Sequence, residues 1–136
     1  MGRRRQSREN SLKLLYQIDI SKNDLEEAIQ GYYEQNSLPT EVRAFTRRLV
    51  TQTLASLEEI DSLIKKFSKN WTLGRMSYID RNILRMAVCE LCFMNDIPAK
   101  VTINEAIEIA KKFGTEKSAI FVNGVLDGIK RELGKN

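Results

Sequence analysis

Cys89 and Cys92, spaced Cys-x-x-Cys, are the residues here whose types and spacing most directly suggest chemistry. A structural zinc site wants four Cys or His ligands, and this chain has no second pair and no histidine. A redox pair of this spacing belongs at a helix N-terminus after a strand, where the dipole favours thiolate; these thiols lie inside an apolar helical stretch. Core packing fits them better, and two thiols imply no disulfide framework. Glu105 and Glu108 have the spacing of di-metal carboxylate bundles, but such sites also need Glu-x-x-His pairs. Without histidine the commonest general base is missing too. There is no Walker loop, dinucleotide fingerprint or Gly-x-Ser-x-Gly elbow. The sequence therefore speaks against an enzyme, and no metal or cofactor is expected.

Two basic segments carry a different chemistry. Lys111-Lys112-Phe113-Gly114-Thr115-Glu116-Lys117-Ser118 joins a helix end to the next helix start. Free N–H groups at a helix N-terminus accept phosphate, and nearby lysines add charge. Phe121 follows one turn later. With Phe121 at 0°, the apolar stripe of Val122, Val125, Ile129 and Leu133 centres near roughly 80° by the helical period. Phe121 thus stands on the shoulder of the stripe, where its ring can pack in the core or stack on an unpaired base; the angle leans to packing and leaves both open. Ile120 points almost opposite the stripe, as a second contact surface would. Arg3, Arg4, Arg5 and Arg8 crowd the other basic segment, which in isolation reads more readily as a solvated tail than as a ligand site.

The elements that position these residues are helical. In 136 residues, 42% hydrophobic and 29% charged, one compact domain with a sizeable core is expected, neither membrane-spanning nor disordered. No apolar run approaches the roughly 20 residues that cross a bilayer. The basic start lacks the apolar segment and cleavage site of a signal peptide, and Arg3 and Arg4 follow Gly2 too soon for myristoylation, so a cytoplasmic location is expected. The net charge of +4 and pI near 9.1 are only a mild basic excess. The distribution says more, because Asp24, Glu26, Glu27 and Glu34 make the segment after the arginines acidic.

Apolar spacing at i, i+3, i+4, i+7 places a first helix at about 7–20, around Leu12, Leu15 and Tyr16. A second follows at Leu25, Ala28, Ile29 and Tyr32, closed by the turn at 36–39. A third stretch, from Phe45 to Phe67, is broken between Ser56 and Glu59. The loop at 69–74 suggests two small helical subdomains, about 1–70 and 71–136. Ser77-Tyr78-Ile79-Asp80 reads as a capping box, opening a helix apolar all round, as befits the centre of a bundle. Glu90 then needs a buried partner, while Arg81 and Arg85 supply charge on one side or reach water. A second capping box is read at Thr102 to Glu105, after Pro98, with Gly114 closing that helix. Ser118 caps a last helix that stops at Gly134. Gly124 and Gly128 suit close approach of a neighbouring helix. The expectation is an all-α fold of six or seven helices.

Larger blocks of sequence resemble the NusB family. The blocks are Arg3-Arg4-Arg5-Gln6-Ser7-Arg8-Glu9 through Leu15-Tyr16; Trp71-Thr72-Leu73-Gly74-Arg75-Met76-Ser77-Tyr78-Ile79-Asp80-Arg81 through Glu90-Leu91; Lys100-Val101-Thr102-Ile103-Asn104-Glu105-Ala106 through Gly114; and Phe121-Val122-Asn123-Gly124-Val125-Leu126-Asp127. They span nearly the whole chain in the family's order. The resemblance implies a transcription antitermination factor that binds boxA, a short single-stranded RNA element of ribosomal RNA operons. The implied protein partner is NusE, a small-subunit ribosomal protein, within the complex of the elongating RNA polymerase.

By position, the resemblance puts Arg3, Arg4, Arg5, Arg8, Lys111, Lys112, Lys117, Phe121 and Asn123 toward RNA, and Tyr16 and Asp80 toward NusE. Cys89 stands where the family commonly has tyrosine. Lys117 stands where some relatives carry an acidic residue, which implies tighter RNA binding. Monomer and homodimer both occur in the family, and the resemblance leaves both open. Two rival readings are a helical protein-interaction scaffold and a stand-alone relative of the NusB-like domain of RNA cytosine methyltransferases, although the sequence ends at Asn136 without a cofactor-binding part.

Overall fold

The computed structural model describes residues 2–69 and 73–135. Among them are seven helices and no strand: α1 Arg3–Ser21, α2 Leu25–Gln35, α3 Thr40–Ala55, α4 Leu57–Phe67, α5 Tyr78–Phe93, α6 Ala99–Phe113 and α7 Ser118–Glu132. The division expected at 70/71 falls on residues outside the described range. All seven helices contribute to one continuous apolar core, or pack against it.

Helix α5 is the axis of the fold, packing against α1, α3, α4, α6 and α7. Every residue from Met86 to Leu91 is buried, which a helix achieves only when neighbours cover it all round. Ser77 caps it as expected, its hydroxyl accepting from the Asp80 N–H at 3.0 Å. Glu90 has the partner its burial required. Arg8 Nε and Nη2 donate to its two oxygens at 2.7 and 2.9 Å, and the Thr102 hydroxyl donates at 2.8 Å.

That pairing explains two departures from the expected boundaries. Helix α1 begins at Arg3 rather than near Ser7, because Arg8 must be helical to aim inward and the preceding turn carries it. Helix α6 begins directly after Pro98. Thr102 is therefore not a cap; it faces inward from the first turn toward Glu90. Ser118 also does something other than cap: its hydroxyl accepts from the Thr115 N–H at 2.9 Å, holding the preceding loop. Gly114 closes α6 in extended backbone, where a Cβ would lie 2.6 Å from Cβ of Ser118 and 2.8 Å from the Ala110 carbonyl oxygen. Gly128 admits the Phe67 ring, 2.5 Å from the position of a Cβ, and so joins α4 to α7. Gly124 has open space around it.

Arg81 and Arg85 reach carboxylates rather than water. Arg81 Nη2 donates to Asp19 at 2.7 Å and Arg85 Nε to Asp61 at 2.9 Å, so that α5 is tied to α1 and α4. Burial alone would raise the pKa of Asp19. Hydrogen bonds from Arg81 and Asn82, with the charges of Arg81 and Arg85, outweigh it and hold that carboxyl below its ordinary 3.8.

Candidate nucleic-acid interface

Along α1, steps of four and three residues place Arg5, Glu9, Lys13 and Tyr16 on one face. Side chains of α6 meet that face. Arg5 makes a bidentate pair with Glu105 at 2.8 and 2.6 Å, and Lys112 donates to Glu9 at 2.8 Å. Lys111 reaches Glu108 at 3.3 Å. Arg5, Lys111 and Lys112 thus share one open hollow with Glu9 and Glu108. The hydrogen bond from Arg5, aided by its charge, holds Glu105 below its ordinary 4.5 against the opposing effect of burial. Farther along, the ammonium groups of Lys13 and Lys112 stand 5.8 and 5.3 Å from the Phe113 ring centre. Phe113 is followed directly by Gly114 and Thr115, where a second hollow starts.

That hollow is a groove of about 570 Å³ between the starts of α5 and α7, lined by Arg75, Met76, Ser77, Asp80, Thr115, Lys117, Ile120 and Phe121. The Phe121 ring is half-buried at its edge, the shoulder position that the helical angle allowed. Ile120 is 78% exposed, in line with its place opposite the stripe. Asp80 Oδ1 is shielded from solvent and has no hydrogen-bond partner among the described residues. Lys117 and Arg75 are exposed at the rim. The groove can therefore take a flat apolar group against Phe121, a donor toward Asp80 and an anion beside Lys117 or Arg75. Asn123 is exposed on α7 but does not line it.

Next to the groove, Tyr78 opens α5 and meets Tyr16 of α1 edge to face, ring centres 6.1 Å apart. Both are more than a third exposed. Arg81, fixed by Asp19, stacks 4.5 Å over Tyr78. Asp80, expected toward a protein, and Phe121 and Lys117, expected toward RNA, line a single space. Helical spacing alone could not reveal that meeting, since it depends on how α7 docks against α5. Arg75 and Tyr78, which the sequence reading does not single out for a site, also border this surface; their signal in the sequence is the run of polar and aromatic residues leading into an apolar helix.

One expected site residue is corrected outright. The Arg8 side chain is 4% exposed and is committed to Glu90, because a buried carboxylate needs a buried cation more than a surface needs a further charge. It has no access to phosphate. Arg5 remains at the surface but is shared with Glu105. Arg3 and Arg4 lie toward α3, apart from Arg5.

The cysteines suit packing. Burial pushes the Cys89 thiol up to about 11 and also raises that of half-buried Cys92. Among the described residues no group of three or more His, Cys, Asp or Glu is placed to hold a metal. No helix among the described residues is long and apolar enough to cross a membrane.

Known proteins agree with this architecture. A family model described as the NusB family matches residues 5–131. The transcription antitermination protein NusB of Syntrophus aciditrophicus (strain SB) is 43% identical over 135 residues, 99% of this chain and 84% of that protein. Its counterpart in Geobacter sulfurreducens is 46% identical over 98% of this chain and 97% of its own. Among solved structures, T. maritima NusB is 41% identical with a TM-score of 0.88, covering 97% of this chain and 92% of that one. A chain from the antitermination factors NusB and NusE in complex with double-stranded RNA is 29% identical with a TM-score of 0.87, covering 97% and 98%. With sequence and fold in agreement over nearly its full length, the chain belongs to the NusB family.

Proposed function

We propose that this protein is a transcription antitermination factor that binds single-stranded boxA-type RNA together with NusE, as part of the complex on elongating RNA polymerase. The protein is not an enzyme: its relatives are antitermination proteins, and its role is to bind without turnover. The observation that carries the reading is the α5/α7 groove, where Phe121, Lys117 and Asp80 face one space. An unpaired base stacks against the half-buried ring of Phe121, with its phosphate beside Lys117. The backbone then runs past Lys112 and Lys111 toward Arg5. NusE engages the Tyr16–Tyr78 pair and the Asp80 side of the groove, so each ligand completes the other's site.

Titration of boxA-type RNA, alone and with NusE present, tests this directly. We expect NusE to tighten RNA binding, and the single strand to compete better than a duplex of the same sequence. Equal binding of strand and duplex, with no effect of NusE, would refute the reading.

A further inference from the structure

Tyr78 is 45% exposed, yet its ring is not loose. Arg81 follows it by three residues in the first turn of α5, so helical geometry brings the guanidinium over the ring, 4.5 Å from its centre. Tyr16 of α1 meets the same ring edge to face. The buried Asn82 amide donates to the Tyr78 carbonyl and to Asp19, both at 2.9 Å. Asp19 is the common anchor. Arg81 donates to it through Nε at 3.0 Å and Nη2 at 2.7 Å, and Asp19 follows Tyr16 by three residues on α1. One carboxylate thereby ties together both rings of the pair, which come from helices far apart in the chain.

Arg81 is poorly placed to be a contact itself. Its Nη1 donates to the Leu73 carbonyl at 3.0 Å, Asp19 takes its other side, and its side chain is only 13% exposed. What it presents to a partner is the ring that it covers. A tyrosine free to rotate must be immobilised on binding, whereas a clamped one avoids that cost, and rigid aromatic anchors dominate interfaces. A planar guanidinium can stack on a ring while its edge donates to a carboxylate; an ammonium cannot do both.

We propose that Arg81 is a positioning residue of the partner surface: anchored by Asp19, it fixes the Tyr78 ring against Tyr16 in the orientation that NusE meets. This rests on the reading that NusE engages the tyrosine pair, and adds that part of the affinity comes from residues behind the pair.

Calorimetric titration of the full chain with NusE tests it, on wild type, Arg81→Lys, Tyr78→Ala, Tyr78→Phe and the two double variants. Lysine keeps a charge beside Asp19 but has no flat group to lay on the ring. Arg81→Lys is expected to weaken NusE binding by about threefold to tenfold, the span for a cation–π contact or for ordering one side chain, while a thermal melt shows a folded protein. With Tyr78→Ala the same change should cost nothing further, since Arg81 acts only through the ring. With Tyr78→Phe, which keeps the ring, the loss should persist. An Arg81→Lys variant that binds NusE like wild type overturns the proposal, as does a loss of equal size with and without the ring. Should Arg81→Lys fail to fold, Asp19→Asn takes its place in the same cycle, keeping the guanidinium but loosening its anchor. If wild type does not bind NusE, or Tyr78→Ala binds it unchanged, the reading of this surface falls, and the proposal with it.

Discussion

Arg8 of α1 and Glu90 of α5 form a bidentate ion pair inside the core, 2.7 and 2.9 Å between their heavy atoms, with both side chains nearly inaccessible to solvent. Thr102 of α6 closes the site with its hydroxyl on the same carboxylate. Three helices are thereby held at one buried point. Removing one partner of such a pair strands the other charge, which costs about 3–5 kcal/mol. Arg8→Ala and Glu90→Ala should each lower the urea midpoint accordingly, while Arg8→Met with Glu90→Leu should recover much of the loss. Single variants as stable as wild type would show that the pair is solvated in solution.

Phe121 separates a ligand-facing ring from a core ring. Phe121→Ala should weaken RNA binding by about 1–3 kcal/mol. Because the ring is only half-buried, its folding cost should fall below the about 3–5 kcal/mol of a fully buried phenylalanine. A thermal melt beside an RNA titration decides the matter; a full core-sized loss of stability with RNA affinity intact would take Phe121 out of the RNA site.

Asp80 should govern the protein partner. Its carboxylate lies in the first turn of α5, where the helix dipole contributes about 0.3–1 kcal/mol, but one of its oxygens is buried without a partner among the described residues. These effects oppose, so Asp80→Ala should change stability little while weakening NusE binding. Calorimetry that finds NusE affinity unchanged in the folded variant would assign that oxygen no role in assembly.

Acid should loosen the fold through Asp19 and Glu105. Both carboxyls sit below their ordinary values of 3.8 and 4.5 in the folded protein. A lowered folded pKa adds stability that is present above the unfolded value and is lost as pH falls through the folded one. Urea midpoints should therefore be flat above about pH 5 and decline below pH 4. Asp19→Asn should be less stable than wild type at neutral pH, with the difference shrinking in acid. A constant difference across that range would mean Asp19 is not ionised in its pairs.

How much of this was legible beforehand differs by residue. The all-round apolar character of α5, the cap at Ser77, the break at Ser56 and the need of Glu90 for a partner could all be read locally, because each depends on spacing within one helix. The capping box read at Thr102 failed for an instructive reason. The same residue types that cap a helix end also serve as buried hydroxyls, and only the nearness of Glu90 decides between the two. The arginines at the start look alike in sequence, yet Arg8 is buried, Arg5 is shared with Glu105 and Arg4 lies on Phe45. Helical rotation turns each toward a different neighbour.

The sequence by itself determined the helical class, the place of the central helix and the family, since these follow from periodicity and from blocks of residues in order. Which cations are free, and that Asp80 shares a groove with Phe121, only the tertiary structure decided. A charge is available to a ligand only if no closer carboxylate claims it, and that depends on distances between helices far apart in the chain.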